Sequence, residues 1–309
     1  MSKLSTYIAL VSVMVIWGMN VVAVKILVNS FAPITMTALR IFTASLVVFL
    51  VLLATNRIRK LTKKEMGTIF VAGLFNVVGH HFFLAAGLTK TTASNAGIIL
   101  GLSPLVTALL ALLFLGDRFR LSKFIGIIFG FTGVIFIVTH SSTKISTVSL
   151  GDLFIFLSVL AQAISFIFIK KLATTLDARL LTGWMLLFGS VVLFLVSLFV
   201  EPHGLWGLKE GKVTTWLIFL ASAVLATGVG HMIYNRAIHR LGAAESAIFI
   251  NLAPFFSLVA SSLFLGETIH FVQWFGFLFI VVGVMLASGA VEGNFSKILS
   301  LFGQGKMMG

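Results

Sequence analysis

Ten stretches of mostly apolar residues, separated by short polar breaks, constrain this chain more than any other feature. They run over 7–28, 34–55, 66–88, 93–115, 122–139, 152–170, 180–200, 213–235, 244–265 and 270–290. An α-helix needs roughly 20 such residues to cross the hydrocarbon core of a bilayer. The breaks carry turn residues and charge, as in Asn56–Lys64, Gly116–Ser122, Ser141–Gly151 and Glu201–Lys212. The stretches are continuously apolar and lack period-2 alternation, so helices are expected rather than a barrel. Charged residues make up 10% of the chain and mean hydropathy is +1.13, against about 25% charged in a soluble domain. Those values exclude a soluble enzyme, a disordered tail and a fibrous protein. The first apolar run, from Tyr7 to about Val28, is too long for a secretory leader and is read as a retained helix. There is no cysteine, hence no disulfide framework and no thiolate chemistry.

The net charge of +13 would suggest nucleic acid in a soluble chain. Here its distribution accounts for it. With ten spans, sixteen of the 22 Lys and Arg fall on one side, in the loops at 57–64, 118–123, 170–179 and 236–240 and at both termini. Four fall on the other side (Lys90, Lys144, Lys209, Lys212), and Lys25 and Arg40 lie within spans. Positive residues gather on the cytoplasmic side. The expectation is a multi-pass protein of the plasma or inner membrane with both termini cytoplasmic and no nucleic-acid partner.

The chain also repeats itself at a constant offset of 150. Positions 95–135 and 245–285 share eleven identities without a gap, where chance in this composition gives about four. Pro104 matches Pro254, Leu113–Gly116 matches Leu263–Gly266, Gly126 and Gly133 match Gly276 and Gly283, and His81 matches His231. Five helices per half is an odd number, so the second half enters the membrane from the opposite side. The expected organisation is a first repeat over 1–140, a linker over 141–150, a second repeat over 151–290 and a cytoplasmic tail over 291–309. Pro104 and Pro254 fall within equivalent spans and are expected to kink them, freeing the carbonyls of Leu100 and Ile250.

These residues resemble the drug/metabolite transporter superfamily in its EamA-type branch. The marks are Trp17-Gly18-x-Asn20 with Lys25, Pro33 followed by Arg40, the run from Gly87 to Phe119, Gly151-Asp152, and the run from Ala237 to Ile269 with Gly276 and Gly283. The resemblance implies ten helices in two inverted-topology halves around a central cavity, alternating access, and small polar metabolites as cargo, often exported. It does not name the cargo.

Polar side chains inside a bilayer usually face a bundle interior or a cavity. Trp17 and Asn20 share one face of the first helix, either lining a cavity or packing between helices. Arg40 lies deep enough either to snorkel outward or to hold a carboxylate or phosphate. Asn76 and His80 stand i,i+4 on the third helix, with His81 turned about 100° away. Thr227, His231 and Asn235 form a second i,i+4 stripe on the eighth. Such stripes line a polar path or bond neighbouring helices, and the histidines are the candidate proton carriers. Asn95, Asn251, Gln162 and Ser165 are read chiefly as interhelical bonds, with Asn251 kept as a candidate contact to cargo. Glu245 suits the start of the ninth helix, and Asp117 and Glu267 are read as solvated helix ends. No metal or cofactor is expected, since no carboxylate or thiolate accompanies the histidines at ligand spacing.

The function this supports is a secondary transporter moving a small polar or amphipathic metabolite (amino acid-like or related), outward, with protons as a candidate coupling ion. No GxxxxGK[ST] motif is present to hydrolyse ATP. An uncoupled facilitator and an intramembrane lipid-modifying enzyme are the alternatives. The latter lacks an acid or metal cluster within the spans. Oligomeric state is left open.

Overall fold

The computed structural model describes residues 2–88, 90–91, 96, 99–116, 121–141, 149–265 and 269–287. Asn95, Asp117, Glu267, most of the 141–150 linker and the 291–309 tail lie outside them, as does the Lys25 side chain. Ten helical segments follow in order: α1 Lys3–Ser30, α2 Pro33–Ala54, α3 Lys63–Gly87, α4 Ser103–Leu115, α5 Leu121–Ser141, α6 Leu150–Leu172, α7 Ala178–Val200, α8 Val213–Leu241, α9 Ala243–Phe264 and α10 Phe271–Ala287. Among the described residues, seven are long and apolar enough to cross a membrane, and Ser103–Leu115, Leu121–Ile137 and Phe271–Ala287 are shorter apolar stretches. The protein is an all-α, multi-pass membrane protein.

Local chemistry sets the helix starts. Ser2 accepts from the Ser5 N–H at the head of α1. Thr62 with Glu65 and Ser149 with Asp152 form reciprocal capping boxes on α3 and α6. Pro33 opens α2, where a missing N–H costs nothing. Ala32 before it has no side chain that can cap. The cap comes instead from the far end of α7. Glu201 accepts the Ile34 and Thr35 N–H groups at 3.0 and 2.8 Å and the Thr35 hydroxyl at 2.8 Å. We expect Glu201→Ala to destabilise the protein by about 1–2 kcal/mol, as loss of an N-cap does. A lower melting temperature in detergent would register this; an unchanged one would mean the cap is dispensable.

The two halves pack with a pseudo-two-fold relation. Helix α3 packs on α6 as α1 packs on α8; α4 packs on α6 as α1 packs on α9; α2 meets α7, α4 meets α9 and α5 meets α10. The α5–α10 crossing displays the inversion directly. A Cβ on Gly126 would stand 2.5 Å from the Gly283 carbonyl oxygen, and one on Gly133 would stand 2.4 Å from that of Gly276. Ascending α5 thus meets descending α10, so equivalent helices run antiparallel. Two glycines seven residues apart share one face over two turns, and without side chains they let the backbones touch. Gly18 does the same for α1 against α9, where a Cβ would lie 2.5 Å from the Phe256 Cβ.

Two features depart from the expectation of regular helices. The α-helical pattern of α3 gives way to a π-helix over Leu74–Gly79, and that of α8 over Ser222–Val229. At the repeat offset the first falls on 224–229, within the second. The prolines likewise do not kink continuous α-helix. Pro104 stands in the first turn of α4, after a turn at Gly101–Leu102, and Pro254 follows a 3-10 turn over Phe249–Leu252. Each therefore opens an α-helical stretch, the position where its ring and absent N–H are best tolerated.

Candidate functional site

The π-helical stretch of α8 gathers the polar residues of three helices. A π turn closes i→i+5 bonds and so widens the helix. The Thr227 hydroxyl donates to the Ser222 carbonyl, five residues earlier, at 3.2 Å. It also accepts from Arg40 Nη1 at 2.8 Å, and Ser222 Oγ accepts from the same nitrogen at 3.4 Å. Ser222 Oγ in turn donates to Asn20 Oδ1. Arg40 is 6% exposed. Its guanidinium turns into the bundle rather than out to the headgroups, which decides against snorkelling. Its two acceptors are neutral hydroxyls. Nε and Nη2 have no acceptor among the described residues.

Next to Thr227, the Ala226 carbonyl accepts the Trp17 indole N–H at 2.9 Å. Gly230 makes this possible, because a Cβ there would lie 2.8 Å from the indole nitrogen. The Trp17 ring lies against those of His231 and Tyr234, with centroids 5.3 and 5.1 Å apart, and Tyr234 meets Phe166 at 5.3 Å. His231 Nδ1 is 3.0 Å from the Thr227 carbonyl. That contact requires the proton on Nδ1 and leaves Nε2 as the acceptor. His81 and His231 lie within electrostatic range of Arg40, of His80 and of each other.

The second polar group lies between α3 and α6. Asn76 Nδ2 donates to Ser165 Oγ at 2.8 Å, and His80 Nδ1 sits 2.8 Å from Ser158 Oγ and 3.2 Å from the Ser158 carbonyl. Gln162 approaches His80 Nε2 at 3.5 Å. Asn76 and His80 therefore both face α6, as their spacing suggests. The His81 ring, expected to diverge, meets that of His80 edge-on at 4.8 Å. The stripe on α8 does not stay on one face. Thr227 bonds α2 and His231 contacts α1, whereas Asn235 donates to Thr182 on α7 at 2.9 Å. The change of helix type between Thr227 and His231 rotates what a constant 3.6-residue period keeps aligned. Asn251 stands apart from both groups. It is 1% exposed, neither amide atom has a partner among the described residues, and Nδ2 occupies the space a Cβ on Gly130 would take. Sequence reasoning did not single out Ser222, Ser158 or Tyr234. Ser222 is reached by a five-residue step from Thr227, which an α-helical reading does not take.

Polar ties close the bundle at both faces. On the Lys/Arg-rich face, Tyr7 donates to Glu245 Oε1 at 2.6 Å and Lys3 Nζ lies 3.2 Å from it, joining α1 to α9. On the opposite face, Thr91 donates to Asp152 Oδ1, joining the α3–α4 connection to α6. Under the pseudo-two-fold relation α1 corresponds to α6, so each half contributes its first helix to a tie at one face.

The comparisons with known proteins agree with this architecture. The model of the EamA-like transporter family matches residues 4–139 and again 149–289. An uncharacterized transporter of Bacillus subtilis, YyaM, is 29% identical over 304 residues, covering 94% of this chain and 96% of its own. An uncharacterized transporter of Archaeoglobus fulgidus is 25% identical over 281 residues (91% and 97%). A WAT1-related chloroplastic protein of Arabidopsis thaliana is 24% identical and covers 92% of this chain. A solved crystal structure superposes with a TM-score of 0.79 at 17% identity, covering 93% of this chain and 97% of its own, and so shares the fold. With both halves matched by one family model, the chain belongs to the EamA-like transporter family.

Proposed function

We propose that the protein is a secondary active transporter that carries a small polar or amphipathic metabolite out of the cell by alternating access. The observation that carries this reading is the antiparallel crossing of the equivalent helices α5 and α10, together with a polar and aromatic cluster at Arg40, Trp17 and His231 where the two halves meet. Two similar packings of opposite orientation can exchange shapes, which gives outward-open and inward-open states of comparable energy. The halves over 1–140 and 151–290 are the exchanging units, and the Lys/Arg-rich face is cytoplasmic, following the charge bias. The cargo site is the cluster around Trp17, Asn20, Arg40 and His231. Purified protein in liposomes loaded with mixed amino acids, organic carboxylates, organic cations, sugars and nucleosides tests the reading directly. Movement of one chemical class under an imposed pH gradient is expected, and silence from folded protein would overturn it.

In this scheme the two polar ties are the gates. The absence of cysteine allows a single reporter, Thr6→Cys, beside the Glu245 tie. Glu245→Gln weakens a charge-assisted hydrogen bond of about 1.5–3 kcal/mol. We expect about a tenfold faster reaction of that reporter with an impermeant maleimide added from its side. Asp152→Asn, at the other gate, slows it. Equal rates in all three backgrounds would remove both ties from the gating cycle.

Protons are the proposed coupling ion, with His231 as the carrier, set among Arg40, His80 and His81. His231→Gln keeps a polar side chain in place and removes the titration. Its transport should lose the pH dependence of the parent. A retained profile would assign coupling elsewhere.

A further inference from the structure

The proposed cargo site says more about its occupant than polarity. Arg40 is a buried guanidinium that keeps its charge, and a buried charge is stable only when paired or fully hydrogen-bonded. Only Nη1 is engaged, by the hydroxyls of Thr227 and Ser222. One edge of the fork, Nε with Nη2, has no acceptor among the described residues. That edge has the spacing that takes a carboxylate bidentately.

The neighbouring position of α8 anchors a group of aromatic rings, whose polar atoms are His231 Nε2 and the Tyr234 hydroxyl. The Trp17 N–H is spent on the Ala226 carbonyl, so the indole has no donor left for a ligand and offers only its ring. His231 and Tyr234 flank that ring. Ala226 and Thr227 are adjacent residues, so the cation and the aromatic wall are anchored to neighbouring positions of one π turn. A cation and a ring anchored side by side suit a small molecule with a charged end and a flat apolar body.

The surroundings also discriminate by charge. The groups within range of Arg40 are His81 and His231, and none is acidic. The described carboxylates stand at helix starts, ends and loops: Glu65, Asp152, Asp177, Glu201, Glu210 and Glu245. A substrate ammonium beside Arg40 would meet a like charge without a counter-ion. A phosphate dianion would have one permanent cation where it calls for two.

We infer that the cargo class is an organic monocarboxylate with a planar apolar body, its carboxylate on the free edge of Arg40 and its ring against the Trp17–His231 pair, in preference to zwitterions and cations. This inference rests on the cluster being the transport site.

The test is calorimetric titration of the purified full chain at pH 7.5 with benzoate, propionate, phenylalanine, benzylamine and phenyl phosphate. Benzoate is expected to bind at least tenfold more tightly than each of the others. Arg40→Gln should weaken benzoate at least thirtyfold. Trp17→Leu keeps the cation and should bring benzoate and propionate to similar affinity, a readout that stands even if the arginine variant does not fold. Tighter binding of phenylalanine, benzylamine or phenyl phosphate, or a benzoate preference indifferent to Trp17→Leu, would overturn the class. So would absence of binding by all five. If the metabolite mixture is still carried in liposomes, the transporter reading survives that failure; if nothing is carried, both fall together.

Discussion

Arg40→Ala should lower cargo flux in liposomes by about a hundredfold or more while the protein remains folded. Truncating one partner of a buried, hydrogen-bonded charge pair costs about 2–5 kcal/mol, and each 1.4 kcal/mol is about tenfold in affinity. The protein itself loses little. Arg40 gives up two bonds to neutral hydroxyls, and Ser222 and Thr227 retain Asn20 and the Ser222 carbonyl as partners. Arg40→Lys keeps the charge without the planar fork and should recover only part of the flux. Measured initial rates, normalised to monodisperse protein, decide this. Parental flux from Arg40→Ala would make the arginine a packing residue.

The second large effect concerns stability. Gly133→Val introduces a side chain where the Gly276 carbonyl oxygen stands 2.4 Å from the Cβ position. That neighbour is backbone and cannot rotate aside, so α5 and α10 must separate. Overpacking a well-packed contact costs about 1–3 kcal/mol, occasionally more, and here the contact joins the two halves. We expect most of the protein to be lost from the monodisperse peak on size exclusion. Gly67→Val is the control, because nothing lies within 4 Å of a Cβ at that position. A normal elution profile for Gly133→Val would contradict the close glycine crossing.

The fold was largely legible because its signals are long and repeated. Runs of about 20 apolar residues mark the ten helices irrespective of exact ends, and the matched Gly126/Gly276 and Gly133/Gly283 pairs mark the repeat; that these four glycines form the α5–α10 crossing came only from the structure. The site was legible only in outline. Trp17, Asn20, Arg40 and His231 stood out as polar groups at membrane depth, and they do meet. Their partners did not stand out. The π segments at Leu74–Gly79 and Ser222–Val229 pack against the opposite half and carry no residue pattern distinct from α-helix. The reading therefore kept Asn235 on a face with Thr227 and passed over Ser222. The Tyr7–Glu245 tie was hidden for a different reason: it joins residues 238 positions apart, which helix periodicity does not relate.

The central claim is coupled transport by two inverted halves, and concentrative flux tests it most directly. Protein reconstituted in liposomes receives labelled cargo at equal concentration on both sides, then an imposed pH gradient. The account predicts accumulation on one side beyond the equal starting concentration, collapse of that excess when a protonophore is added, and no excess with His231→Gln. Cargo that exchanges across the membrane but stays at equal concentration under the gradient would contradict coupled transport and make the protein a facilitator.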